Sequence, residues 1–129
     1  MIIGGGVYVK GSDYNENGTI IPSVLEAIKE SQIDQVGFVT TSNKSVDECL
    51  KKCKRLSKFL NIKINLKTFI KFKSNSKTSY KKALKNFKPD ATIVATPDHT
   101  HYKICKDVIL SNSSLLVVKP LSHKVKEVK

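Results

Sequence analysis

The feature that most constrains this chain is the alternation of short apolar runs with stretches carrying apolar residues at helical spacing. MII (1–3), VGFVT (36–40), ATIVA (91–95) and LLVV (115–118) are rich in β-branched side chains and read as strands buried on both faces. Residues 62–72, IKINLKTFIKF, alternate apolar side chains with lysine, as a half-exposed strand near a sheet edge does. Between these runs, helical periodicity is expected over 20–31, 45–59, 80–87 and 102–110. Strands that alternate with helices pair in parallel through right-handed crossovers. The compact solution is a single α/β domain with a doubly wound parallel sheet in the order 3-2-1-4-5. No repeat or linker divides the 129 residues, a length suited to one core.

Local signals refine the elements. Thr19 is placed to cap the helix over 20–31, and Pro22 is tolerated in its first turn. Ser45 and Glu48 form a capping-box pattern opening the next helix, and Pro89 closes the helix over 80–87. Residues 10–18, KGSDYNENG, read as a polar loop that separates three glycines from the first long helix.

Composition excludes several classes. No apolar run approaches the roughly 20 residues of a membrane span. MIIGGG has neither a basic region nor a cleavage site of a secretory signal, so a cytoplasmic location is expected. The net charge of +12 comes from 22 lysines and only one arginine, Arg55. Nucleic-acid readers lean on arginine for bidentate contacts, so this composition argues against that role and for a solvated, lysine-rich surface. The odd set of Cys49, Cys53 and Cys105 argues against disulfides. Cys49 and Cys53 share a helix face with no histidine nearby, so buried thiols rather than metal ligands are expected.

A doubly wound sheet binds ligands beyond the carboxyl ends of its strands, where the order reverses. At the end of strand 1, Gly4 and Gly6 match the first two positions of G-x-G-x-x-G, and Val9 occupies the third. Such a turn admits a pyrophosphate, although a structural turn uses the same residues. At the end of strand 2 stand Thr40, Thr41, Ser42, Asn43 and Lys44, with no acid before Asp47. An acid there would accept from a ribose 2′-hydroxyl, so its absence leans towards NADP over NAD, while the same loop also supplies a helix cap. The end of strand 4, ATPDHTHY (95–102), brings Thr96, Pro97, His99 and His101 to a helix start, in ligand-lining or structural roles. Strand 5 ends in Lys119 and Pro120, a triple donor on a bond that can be cis.

Together these residues resemble the nucleotide-binding, Rossmann-like domain of the Gfo/Idh/MocA oxidoreductases. The resemblance rests on GGG (4–6), PDATIVATPDHTHYKIC (89–105) and LLVVKPLS (115–122). The family's T-P-x-x-x-H is met by Thr96, Pro97 and His101, and its E-K-P reads V-K-P here, with Val118 for the acid. The resemblance implies hydride transfer between NAD(P) and a hydroxyl carbon of a sugar, cyclitol or related polyol. It assigns Lys119 a catalytic role against the nicotinamide ribose and substrate hydroxyl, with a cis bond to Pro120. With the strand-end reading, the cofactor-binding candidates are Gly4, Gly6, Thr41, Ser42, Lys44, Thr96, Pro97, His101, Lys119 and Pro120, and no metal is expected. The resemblance further implies a following substrate domain that supplies a catalytic histidine motif and builds homo-oligomers. That domain is absent from these residues, which are therefore expected to be a fragment not catalytic alone. The alternative is a standalone dinucleotide-binding or scaffold module without catalysis. Val9 is expected to hold the first helix farther from the strand or to displace its start, and the 10–18 insertion to lie beside the crevice as a lid or oligomer contact.

Overall fold

Five strands pair in parallel in a computed structural model that describes residues 1–13, 15–64 and 68–127. They are β1 (Ile2–Ile3), β2 (Val36–Val39), β3 (Phe69–Lys71), β4 (Ala91–Val94) and β5 (Ser114–Val117), in the order β3-β2-β1-β4-β5. This is the order the alternating pattern predicts. Although β1 has only two residues, it is the axis of the sheet. Ile2 stands between Phe38 and Ile93, and Ile3 between Val39 and Val94. Successive side chains on a strand face opposite ways. Ile2 therefore packs with Phe38 against α2 (Ile20–Lys29) and α3 (Asn43–Phe59). Ile3 packs with Val39 and Val94 against α4 (Ser79–Phe87) and α5 (His101–Leu110). Burying a side chain such as Phe38, fully enclosed here, stabilises by about 1.5–3 kcal/mol.

Four local features differ from expectation. The first concerns the segment after the glycines. One helical turn, α1 (Val7–Lys10), follows directly, with Val9 fully buried against Ile2 and Ala95. The chain then leaves for residues 11–18 and comes back. On its return the Thr19 N–H donates to Tyr8 O at 2.9 Å, the bond that residue 12 would make in an uninterrupted helix. Gly11 (φ 86°) and Gly18 (φ 61°) form the neck of this excursion, and a Cβ on Gly18 would lie 2.8 Å from Gly11 N. The Thr19 hydroxyl makes no cap; it donates to Tyr8 O.

Second, α3 starts earlier than the Ser45 pattern suggests. Ser42 is extended (φ −143°, ψ 146°), and its Oγ accepts from the Ser45 N–H at 3.2 Å. With the cap at Ser42, Glu48 falls in the second turn and pairs instead with Lys10.

Third, the strand expected over 62–72 is regular only at Phe69–Lys71, and residues 65–67 of that expectation lie outside the described residues. Fourth, β5 is not buried on both faces. It is last in the sheet with β4 as its one neighbour, and Leu116, on the same face as α2 and α3, is 57 % exposed.

Candidate functional site

Where β1 ends, Gly4 takes φ 117°, a conformation side chains rarely adopt. A Cβ at Gly4 would sit 2.1 Å from the Ala95 carbonyl oxygen, so only glycine lets this turn close on the end of β4. A Cβ at Gly6 would meet nothing within 4 Å. Gly4 and Gly6 line a cavity of about 420 Å³ beyond the carboxyl ends of β1, β2 and β4. That is the reversal point of the strand order, and its bare main chain fits the close approach of a pyrophosphate. No aspartate or glutamate is among the lining residues.

At the end of β2, Thr40 and Thr41 line the cavity. Thr40 Oγ1 donates to Ser42 O at 2.6 Å and folds the turn back on itself. Ser42 is engaged as the cap of α3, and Lys44 is exposed on the first turn of that helix, outside the cavity lining. The other wall here comes from the polar loop between β3 and α4. Ser74 is buried: its Oγ accepts from the Thr40 N–H at 3.1 Å, and its N–H donates to Asn43 Oδ1 at 2.9 Å. Those two bonds draw the β3–α4 loop against the end of β2 and bring Ser76, Lys77 and Tyr80 to the cavity. Asn75 and Ser76 donate their N–H groups to Ser79 Oγ, which fixes the loop's shape. The Tyr80 hydroxyl donates to Asp107 Oδ2 at 2.6 Å, so α4 is tied to α5 beneath the cavity floor. Burial, then this bond to a carboxylate, push the Tyr80 phenol above its ordinary range.

At the end of β4, Thr96 and Pro97 line the cavity. His101 does not reach it. The ring is fully buried, with Nδ1 2.6 Å from Pro120 O and Nε2 2.7 Å from Thr96 O. Carbonyl oxygens only accept, so the ring nitrogen that carries a hydrogen donates to one of them, and the imidazole is wedged between the ends of β4 and β5. Its contribution is position: it ties the cavity wall at Thr96 to the turn carrying Lys119. The Lys119–Pro120 bond is cis, and both residues are exposed and outside the cavity lining. The structure thus gathers Gly4, Gly6, Thr41, Thr96 and Pro97 around one cavity. His101 and Pro120 stand behind its wall, Ser42 serves as a cap, and Lys44 and Lys119 lie outside the lining.

None of the described residues of the 11–18 excursion lines the cavity. The excursion is clamped onto α3 instead. Lys52, 8 % exposed, donates to Asp13 O at 3.0 Å and to Glu16 O, while Arg55 donates to Asn17 Oδ1 at 2.6 Å. Burial lowers the Lys52 pKa, and the hydrogen bond from Lys10 holds Glu48 below its ordinary value. A lid over the crevice does not match this placement. The three cysteines are free and buried, and burial pushes Cys49 up to about 11 and Cys53 up to about 12.

A family model described as an oxidoreductase family with an NAD-binding Rossmann fold, GFO_IDH_MocA, matches residues 18–129. The chain belongs to the Gfo/Idh/MocA oxidoreductase family. The match starts at Gly18, where the excursion ends, so the glycine turn of this Gfo/Idh/MocA domain is assigned by its geometry alone. The family is NAD-binding, in accord with the parallel sheet and the cavity at its reversal point. No curated protein matches the chain. Among the described residues, no helix is long and apolar enough to cross a membrane.

Proposed function

We propose that this chain is the nucleotide-binding part of an NAD(P)-dependent oxidoreductase acting on a hydroxyl-bearing carbon of a sugar- or cyclitol-like substrate. The observation that carries the reading is the cavity itself. Bare glycine main chain forms one wall, hydroxyls and a lysine form another, and no carboxylate repels a phosphate. The dinucleotide supplies the hydride chemistry when bound. Gly4 and Gly6 admit its pyrophosphate, Thr41 faces its adenosine ribose, and Thr96 and Pro97 border its nicotinamide half. Lys119 extends from the end of β5 towards the nicotinamide ribose and the substrate hydroxyl, its turn anchored through Pro120 O on His101.

Differential binding of a transition state needs a second wall, which a substrate-binding part of a longer polypeptide supplies. Lacking it, these residues bind the dinucleotide without turning over substrate. The test is a titration with NADPH and with NADH, followed by the fluorescence of the reduced nicotinamide. Saturable binding of at least one is expected, and no binding of either at millimolar concentration refutes the proposal.

One observation favours a second reading, a dinucleotide-binding module without catalysis: Lys119 lies outside the cavity lining. The two readings part on a hydride-exchange assay with a panel of polyols, using the product of the whole gene. Turnover supports the oxidoreductase, and its absence beside intact dinucleotide binding supports the module.

A further inference from the structure

We infer that Lys77, on the loop between β3 and α4, is the cation that recognises a ribose 2′-phosphate and so selects NADP over NAD. The inference rests on the dinucleotide reading above and adds the residue that sets its specificity. In a sheet of this order the adenosine half of a dinucleotide lies over the end of β2, where groups from that end read the ribose 2′-position. The sequence offers Lys44 there, but Lys44 stands outside the cavity lining and Lys77 stands within it.

Lys77 is brought there by a built connection. Ser74 bonds both Thr40 N–H and Asn43 Oδ1, and Ser79 Oγ accepts the Asn75 and Ser76 N–H groups. Ser76 and Thr41 line the same cavity and bring hydroxyl groups to it. A bare 2′-hydroxyl is favoured by a carboxylate that accepts from it, and the lining has none. A phosphate is favoured by charge-assisted donors, and these three side chains are that set. Among the described residues no carboxylate pairs with Lys77, so its charge is free for a ligand.

The test compares NADPH and NADH dissociation constants of the 129-residue chain, Lys77→Met, Lys77→Glu and Lys44→Met by nicotinamide fluorescence. Lys77→Met is expected to weaken NADPH about tenfold while NADH changes less than twofold, the loss of one charge-assisted contact. Lys77→Glu is expected to reverse the preference by providing an acceptor for the 2′-hydroxyl. The NADPH advantage of the parent chain should shrink as salt rises, and that of Lys77→Met should not. Lys77 is exposed, so all variants are expected to melt with the parent. An unmoved ratio, an equal loss for both cofactors, or a shift that falls on Lys44→Met overturns the assignment of Lys77. Failure of the parent chain to bind either cofactor overturns the dinucleotide reading, and this inference with it.

Discussion

Replacing His101 with phenylalanine keeps most of the ring volume at a fully buried position and removes both ring nitrogens. The carbonyl oxygens of Thr96 and Pro120, now 2.7 and 2.6 Å from those nitrogens, then lose the ring's N–H donation. Leaving a buried polar group without a partner costs about 1–3 kcal/mol. Domains of this size have roughly 5–15 kcal/mol in total, which makes the loss a substantial fraction of the fold's stability. With a urea slope of about 1–3 kcal/mol/M, the unfolding midpoint is expected to fall by roughly 0.5–1.5 M. Far-UV circular dichroism follows the transition, since the chain has no tryptophan. His101→Gln keeps a donor for one carbonyl and should fall between the parent and His101→Phe. A His101→Phe midpoint that matches the parent, or a glutamine variant as weak as phenylalanine, refutes the claim that hydrogen bonding from the His101 ring holds these strand ends together.

Two further expectations concern the glycine turn and the thiols. Gly4→Ala is expected to cost about 2–5 kcal/mol, from strain at φ 117° and overlap with Ala95 O, whereas Gly6→Ala should keep the parent's melting temperature and weaken dinucleotide binding several-fold. Calorimetry with and without NADPH separates the two, and equal melting of both variants contradicts the geometry of the turn. Cys49 and Cys53 ionise first in the unfolded chain, because burial raises them to about 11 and about 12 from an ordinary value of 9.0. Their contribution to stability is therefore whole below pH 9 and is lost as pH rises, to about 11 for Cys49 and about 12 for Cys53, at roughly 1.4 kcal/mol per unit for each thiol. A Cys49→Ala/Cys53→Ala chain should show a shallower alkaline decline in its urea midpoint, and parallel declines would refute the assignment.

Most of the fold was legible because strand and helix periods differ, β1 and β2 are apolar throughout, and β4 departs from that only at Thr92. The order followed from the crossover rule, and no side-chain detail was needed. What misled was local. Ser45 and Glu48 satisfy a capping box on spacing alone, but Ser42 is a cap of the same chemistry one turn earlier, and the earlier cap starts the helix. LLVV suggests burial on both faces, yet a run of apolar residues carries no record of its place in the sheet, and β5 is an edge. Among the site candidates, Gly4, Gly6, Thr41, Thr96 and Pro97 share the cavity lining, as their places at strand ends suggest. The place of Lys77 in that lining was not legible, because its approach depends on Ser74 and Asn43, 31 residues apart and with no shared local pattern. The sequence signal available was the polar stretch after β3, which supplies a second wall to the same crevice.

The touching glycines at residues 11 and 18 have a practical consequence. Because the excursion leaves and returns at one point, its ends are already joined, and lengthening it adds only a slowly growing closure entropy. The segment between them rests on the side chains of Lys52 and Arg55, away from the cavity. It is the natural place to graft a fluorophore or an affinity peptide: a reporter there travels with α3 and leaves the nucleotide crevice open.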